Sequence, residues 1–234
     1  MAFPVTYCGP PPAPADLAWS FNLDPVLVLV LFAMAVALRG DRAGLAAVGV
    51  LAVAFVSPLC ALSAALFSAR VVHHILLVAV AAPLLAMALP ARGRASIAVP
   101  FVASTVVLWA WHLPAAYDAA LANVPLYWVM QLSLLGSALL LWRAVLAEGR
   151  SPVDRLAFVV AAFAQMGLLG ALLTFAPGPL YAAHAFAPLA WGLTPLQDQA
   201  LGGVIMWVPA GLPYAVVAVW IARRSWARLK AAGA

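Results

Sequence analysis

Charged residues are scarce in this chain, and that scarcity decides its class. Asp, Glu, Lys and Arg make up 8% of the 234 residues, whereas 67% are hydrophobic. A soluble domain carries about 25% charged residues, so the composition predicts an integral membrane protein with the lipid bilayer as its first partner. The net charge of +5 resides between apolar runs, where basic residues set membrane topology. It therefore indicates no nucleic-acid partner.

Other absences exclude whole classes of chemistry. The single lysine, Lys230, follows the last apolar run, so no retinal-type Schiff base forms inside a bundle. Two cysteines, Cys8 and Cys60, are too few for a disulfide framework or a Cys-based zinc site. The chain has no H-E-x-x-H, no G-x-S-x-G and no P-loop, and its four histidines are too few for a histidine-rich di-iron enzyme. We therefore expect a protein that is not an enzyme.

Long apolar runs are what the chain has in their place. Each is long enough to cross about 30 Å of hydrocarbon as a helix. They fall at roughly 22–39, 43–64, 69–89, 96–113, 124–146, 154–175 and 198–222. The proline-punctuated segment between the last two is typical of a loop. The sequence thus predicts an all-α fold, a polytopic bundle of about seven transmembrane helices in a single transmembrane domain over residues 1–234.

The basic residues predict the orientation of that bundle. All except Arg70 fall in turns that share one side of the membrane: Arg39, Arg42, Arg92, Arg94, Arg143, Arg150, Arg155, Arg223, Arg224, Arg228 and Lys230. Because positive loops stay in the cytoplasm, we expect an N-out, C-in topology. It makes residues 1–21 an outer tail, 176–197 an outer cap loop and 223–234 a cytoplasmic basic tail.

This orientation gathers the polar side chains near the outer ends of the helices. The candidates are Arg70, His73, His74, His112, Met130, Gln131, His184, Asp198, Gln199 and Met206. Histidine is the commonest metal ligand, and the methionine thioether favours Cu(I). Taken singly, each histidine is equally explained as a hydrogen-bonded interfacial residue and each methionine as core filling. Their convergence on one leaflet predicts a functional site there.

The segment opening at Asp198 is the centre of that site. A carboxylate near hydrocarbon needs a partner, either the N–H groups of its own helix start or the guanidinium of Arg70. The alternative for Arg70 is extension to the lipid headgroups. Gly202 and Gly203 predict close approach of a neighbouring helix that carries site residues. Cys8 and Cys60 are expected together on the outer side, either as a disulfide or as unrelated thiols.

Three stretches resemble a known family, the CtaG-like caa3-type cytochrome c oxidase assembly factors. The first runs from Phe67-Ser68-Ala69 through His74-Ile75-Leu76-Leu77 to Ala82-Pro83-Leu84-Leu85. The second is Trp109-Ala110-Trp111-His112-Leu113-Pro114 with Tyr117-Asp118. The third comprises Trp191-Gly192-Leu193, Pro195-Leu196, Asp198-Gln199, Gly203 and Met206-Trp207. The chain departs from the family at two motifs. In the H-M-x-Q-H motif of the third helix, Arg70 stands at the first histidine and His73 at the glutamine. In the fifth helix Met130-Gln131 replaces the family's E-H pair, so two of the family's usual ligand histidines are absent.

The resemblance implies a chaperone-like assembly factor in the bacterial cytoplasmic (inner) membrane, with cytochrome c oxidase subunits as partners and copper as cargo. His74 and His112 remain of the family's likely ligands, and a divergent member could rebuild its copper site from His73, His74, His112 and Met206. The resemblance implies supporting roles for Arg70, Asp118, Met130, Gln131, His184, Asp198, Gln199 and Trp207, and helix-packing roles for Gly202 and Gly203. A divergent member could also keep the scaffold and bind an oxidase subunit without metal. The alternatives outside this class are a small copper permease and a haem-binding membrane protein.

Overall fold

Helices make up all the regular secondary structure of the part of the chain that the computed structural model describes, residues 6–90, 96–147 and 149–232. The predicted cytoplasmic pair Arg92 and Arg94 lies outside the described residues. The helices, numbered in chain order, are α1 (Pro25–Ala37), α2 (Arg42–Phe55), α3 (Pro58–Ala65), α4 (Phe67–Ile75), α5 (Ala82–Ala88), α6 (Ala98–Trp111), α7 (Pro114–Ala122), α8 (Val124–Leu146), α9 (Pro152–Thr174), α10 (Pro195–Trp207) and α11 (Gly211–Ala232). A π-helical segment, Leu76–Ala81, joins α4 to α5.

Proline explains where many of these helices begin. Pro25, Pro58, Pro114, Pro152 and Pro195 each occupy the first helical position. Proline is favoured there, because its fixed φ suits a helix and its missing N–H has no partner to lose. Pro58 and Pro114 also separate α3 from α2 and α7 from α6, since the residue before proline avoids helical geometry. The chain is therefore divided into more helices than its apolar runs suggest.

Over residues 6–90, 96–147 and 149–232 the structure has four to six candidate membrane spans, and the predicted number of seven is not confirmed. Four helical stretches are long and apolar enough to cross: Phe67–Ala88 (α4 to α5), Val124–Leu146 (α8), Pro152–Thr174 (α9) and Pro195–Arg228 (α10 with most of α11). Two bent pairs, α2 with α3 at 47° and α6 with α7 at 75°, count as spans if each pair is one crossing. The first predicted run contains α1, whose 13 residues extend only about 20 Å at 1.5 Å per residue.

Helix α10 begins three residues before its predicted apolar run. Thr194 caps it, accepting the backbone N–H of Gln197 while the Gln197 side chain accepts the N–H of Thr194. This reciprocal arrangement satisfies two of the free donors at the helix start. Asp198 is thereby released from capping its own helix. The preceding segment holds two short 3-10 turns, Ala182–His184 and Ala187–Trp191.

Two consecutive glycines place α10 between α4 and α9. A Cβ atom at Gly202 would lie 2.6 Å from the Phe67 ring on α4. At Gly203 it would lie 2.6 Å from the carbonyl oxygen of Gly170 and 2.7 Å from the backbone nitrogen of Thr174 on α9. No larger residue fits either contact without moving a neighbouring helix. The predicted close approach therefore exists, with one glycine serving each neighbour.

A disulfide fastens the N-terminal segment to the bundle. Cys8 and Cys60 are bonded, with their Cα atoms 5.2 Å apart. The structure thus confirms the pairing, in preference to two unrelated thiols. The Cys8 sulfur lies 3.5 Å from the Tyr127 hydroxyl, so the bond joins the start of α3 to a segment that covers α8.

Candidate functional site

Six polar side chains are buried together between α4, α6, α8 and the turn at Ala182–His184. This buried polar cluster consists of Arg70, His73, His74, His112, Gln131 and His184, each at most 6% exposed. All six are among the residues singled out from the sequence. Intramembrane polar groups of this kind are rare and mark functional sites by default.

Asp198 builds one wall of the cluster by capping a helix other than its own. Its carboxylate accepts the backbone N–H of Phe67 at 2.6 Å and that of Ser68 at 3.1 Å. It also accepts the Ser68 hydroxyl proton, at 2.5 Å. These are the free donors at the start of α4, where the helix dipole favours a negative charge. The buried carboxylate is therefore fully engaged by α4, the helix that presents Arg70, His73 and His74.

Arg70 makes no ion pair with Asp198, so the predicted charge pair is wrong. Its Nε donates to the carbonyl oxygen of Ser63 at 3.2 Å, and its Nη1 donates to the Tyr127 hydroxyl at 3.4 Å. The guanidinium carbon lies 5.3 Å from the centre of the Tyr127 ring. The side chain is 0% exposed and Nη2 has no hydrogen-bond partner, so Arg70 does not extend to the lipid headgroups either. The reason is geometric, because the carboxylate of Asp198 is bonded to the backbone N–H groups at the start of α4.

His74 and His112 face each other across α4 and α6. Their ring centres are 6.1 Å apart. The His112 Nδ1 contacts the Leu108 carbonyl oxygen at 2.7 Å, and the Tyr181 hydroxyl donates to the His112 backbone carbonyl at 3.0 Å. Those contacts fix the ring of His112, whereas Nε2 of His74 has no partner. This pair has both a fixed ring and an available nitrogen.

His73 lies beside His74, with ring centres 5.9 Å apart, and also contacts α2. Its ring lies edge-on to Phe55 of α2, with ring centres 4.8 Å apart, and neither nitrogen has a hydrogen-bond partner. The divergence from His74 follows from the roughly 100° turn between consecutive helical residues. Gln131 on α8 also has no partner for either amide atom. The cluster thus contains several buried polar atoms that no protein group satisfies.

His184 is held on both sides of its ring. Nε2 lies 2.8 Å from the Tyr117 hydroxyl and Nδ1 lies 3.3 Å from the Ala65 carbonyl oxygen. Burial lowers the pKa of His184 to about 3, and the nearby charge of Arg70 acts in the same direction. The ring is therefore neutral at physiological pH, and it ties the segment after α9 to the end of α3.

The remaining predicted polar residues fasten the same segment. Asp118 accepts the backbone N–H groups of Ala182 and Ala183, at 3.1 and 3.0 Å. Gln199 accepts the N–H of Leu180 at 2.7 Å and donates to the Leu173 carbonyl oxygen at 3.3 Å. Both side chains therefore shape the loop over the cluster and do not join it.

Met130, Met206 and Trp207, also predicted from the sequence, are not part of the buried polar cluster. Met130 is fully buried in the core on α8, and Met206 is buried on α10 where it meets Gly170 of α9. Trp207 is exposed and lies edge-on to Phe175, with ring centres 6.3 Å apart. Among the described residues, no group of three or more His, Cys, Asp or Glu side chains is placed to hold a metal ion. Of the four predicted copper ligands, His73, His74 and His112 have their rings within about 6 Å of a neighbouring histidine ring, whereas Met206 is packed on α10.

Ser68, Tyr117 and Tyr127 contact site residues but were given no role from the sequence, although Ser68 and Tyr117 lie in the stretches that resemble the family. Ser68 had a recognisable signal, because serine at a helix start commonly engages the first N–H groups. Tyr127 stands one turn before Gln131 on α8, a spacing that puts both on one face. Tyr117 gave no such signal, since its partner His184 lies 67 residues away.

A comparison with protein families matched the model described as cytochrome c oxidase caa3 assembly factor (Caa3_CtaG) to residues 92–228. The match covers more than half of the chain and includes His112, Asp198 and Gln199, but not α4. No curated protein and no solved structure matched the chain significantly. With the matched region containing the segments that close over the buried polar cluster, the chain belongs to the cytochrome c oxidase caa3 assembly factor family.

Proposed function

We propose that this protein assists assembly of a haem–copper cytochrome c oxidase by holding Cu(I) in the buried polar cluster and passing it to an oxidase subunit. The family supports an assembly role, and a cargo carrier has no substrate to transform, so the proposal assigns the protein no catalysis. Copper is the cargo in this proposal and does not remain with the protein.

The observation that carries the proposal is the pair of facing imidazoles, His74 and His112. The centre of an imidazole ring lies roughly 3 Å from a metal bound through its nitrogen, given a metal–nitrogen distance of roughly 2 Å. Two rings that share a metal can thus stand about 6 Å apart when the ligands are nearly opposite. The observed 6.1 Å matches that arrangement. The His73 ring is 5.9 Å from His74 as well, but it lies edge-on to Phe55, whereas the His112 ring is held by the Leu108 carbonyl oxygen. Two ligands suit a transiently held soft cation better than a permanent site.

Asp198 supports this pair indirectly. Because its carboxylate caps the N-terminus of α4, it fixes the axial position of the helix that presents His74. Tyr181 does the same for His112 through the backbone carbonyl. The ligand positions therefore depend on the loop between α9 and α10, which a docking oxidase subunit could displace to release the ion.

The proposed working face is the outer side of the membrane, with the N-terminus outside and the C-terminus in the cytoplasm. The Cys8–Cys60 disulfide supports it, since disulfides persist in oxidising compartments. The basic residues of α11 support it as well. A C-terminal alkaline phosphatase fusion should be inactive and an N-terminal one active. The reverse result would move the cluster to the cytoplasmic side and end the proposal of outer-face copper transfer.

Copper binding is the direct test. Purified protein is equilibrated with Cu(I) kept reduced by ascorbate, which spares the disulfide, and the bound metal is measured. We expect His74→Ala and His112→Ala each to abolish stoichiometric binding. His73→Ala is the matched control, because it removes a neighbouring histidine that faces Phe55, and it should retain copper. Full binding in the His74→Ala, His112→Ala double variant would refute the proposed site.

Arg70 favours a second candidate function, assembly without metal. A guanidinium stays charged when buried, and its field opposes a cation in the same cluster. In that case the chain would bind an oxidase subunit and stabilise it during maturation. The two candidates separate in cells: if the double histidine variant keeps full oxidase activity while deletion of the whole chain abolishes it, the protein acts as a metal-free scaffold.

A further inference from the structure

A cavity of about 380 Å³ lies between α1, α2 and α8, apart from the His74–His112 pair. Its floor is buried: Leu31, Phe55 and Gln131 are 8%, 5% and 1% exposed. Its rim is exposed, with Val30 at 51% and Leu132 at 62%. Helix α1 packs mainly on α2, which leaves a gap beside α8. The cavity therefore opens sideways, onto the apolar surface that faces the bilayer.

The walls of this cavity are apolar except for Tyr7, Asp24 and Gln131. Tyr7 and Asp24 satisfy each other, because the Tyr7 hydroxyl donates to the Asp24 carboxylate at 2.9 Å. The carboxylate also accepts the N–H of Val26 at 2.8 Å, at the start of α1. These hydrogen bonds, that from Tyr7 first, lower the pKa of Asp24. Among the described residues no group lies at full hydrogen-bond distance from either amide atom of Gln131, although the Tyr127 hydroxyl one turn away interacts with it, and a buried amide with unmet hydrogen bonds is costly.

A positive charge stands behind the same wall. Arg70 donates to the Tyr127 hydroxyl, and Tyr127 precedes Gln131 by one turn of α8. Among the described residues Arg70 has no acidic partner, since the carboxylate of Asp198 is occupied by the N–H groups of α4. A buried cation without a counter-charge favours an anionic occupant nearby. Asp24, which lines the cavity, has its carboxylate engaged by Tyr7 and Val26, so the free hydrogen-bonding capacity at Gln131 lies in the field of Arg70, partly offset by that carboxylate.

We propose that this cavity binds a single-chain anionic amphiphile of the fatty-acid class. The carboxyl group accepts a hydrogen bond from Nε2 of Gln131 and lies in the field of Arg70, and its proton, when present, goes to Oε1. The chain runs along the apolar walls past Leu31 and out over Val30 and Leu132 to the bilayer. The aromatic ring of Phe55 closes the floor. The cavity does not include His74 or His112, the proposed copper ligands.

Photolabelling tests the assignment. The probe is a diazirine-bearing palmitic acid, applied to the full-length protein in phosphatidylcholine nanodiscs, and labelled positions are read by mass spectrometry. We expect labels on the cavity-facing residues of α1 and α8. Unlabelled palmitate should compete, and methyl palmitate, which lacks the anionic head, should not. Equal competition by the ester would mean that the cavity accepts any acyl chain, and would overturn the proposal.

Two variants make the test specific to this cavity. Gln131→Leu should reduce labelling about tenfold, as expected for loss of a buried hydrogen bond. Gln165→Leu is the matched control, because Gln165 lines a separate, smaller cavity, and it should leave labelling unchanged. Val30→Trp fills the rim from an exposed position and should block labelling without lowering the melting temperature. Wild-type labelling of either Gln131→Leu or Val30→Trp would refute the site.

Discussion

Replacing Asp198 by Asn tests whether this carboxylate holds α4 in place. Asparagine has the same shape but only one oxygen. If that oxygen keeps both bonds from Ser68, the N–H of Phe67 faces an NH₂ group and loses its acceptor. Leaving one buried donor unsatisfied costs about 1–3 kcal/mol. Removing the charge at the helix start adds about 0.3–1 kcal/mol, more when buried.

The free energy of unfolding should therefore fall by about 2–4 kcal/mol. For a chain of this size, 1 kcal/mol shifts Tm by about 2–4 °C, so the expected loss is about 4–16 °C. The measurement is a thermal melt of purified protein, followed by tryptophan fluorescence. Oxidase activity of the corresponding membranes should fall in parallel, because the displaced α4 presents His74.

Asp41→Asn provides the matched control. Asp41 caps α2 by accepting the N–H of Gly44 at 2.7 Å, but it is only partly buried, so water can replace the lost acceptor. Its Tm should change by less than about 2 °C, as should that of Arg223→Gln in the exposed tail. If Asp198→Asn melts within 2 °C of wild type, or if Asp41→Asn melts as low, the helix-capping explanation fails.

Three further predictions concern stability. Burial lowers the pKa of His184 to about 3 from an ordinary value near 6.5. The contribution of neutral His184 to the free energy of unfolding is therefore complete above pH 6.5, and it falls by about 1.4 kcal/mol per pH unit as the pH drops from 6.5 to 3. Thermal melts of His184→Asn against pH should lack this slope. Gly203→Leu should abolish folding and oxidase activity, whereas Gly136→Leu, where nothing lies within 4 Å of a new Cβ, should be tolerated; equal effects would make the α9–α10 contact incidental. Reducing the Cys8–Cys60 bond, which closes a separation of 52 residues, should cost up to about 4 kcal/mol; maleimide labelling before reduction would show that the bond is absent.

The helical class and the positions of the apolar runs could be predicted because burial in lipid demands long apolar helices. The number of spans could not, because the decision depends on whether Pro58 and Pro114 bend a span or end it. Composition is nearly the same in both cases. The apolar pattern predicts that α10 starts at Asp198, three residues too late, because the pattern does not include the capping pair of Thr194 and Gln197.

The candidate site shows the same division between what the sequence predicts and what depends on how the helices pack. Residue type and predicted depth identified the members of the buried polar cluster, since polar groups inside a membrane are buried against one another and away from lipid. Their partners could not be predicted. Asp198 has two plausible partners in sequence, its own helix start and Arg70, and it binds neither. Its choice of α4 depends on the close contact between Gly202 and Phe67, which only the packed helices reveal.

The paired glycines of α10 also limit how this protein can move. With Gly202 seated on α4 and Gly203 seated on α9, a slide along the axis would bring a side chain into one contact or the other. Shear between these three helices, one of the usual modes of conformational change, is therefore blocked in both directions. They behave as a single rigid body, and any gating must come from elements hinged to it. The non-helical break at Val208–Ala210 and the lightly packed α1 are where that freedom remains.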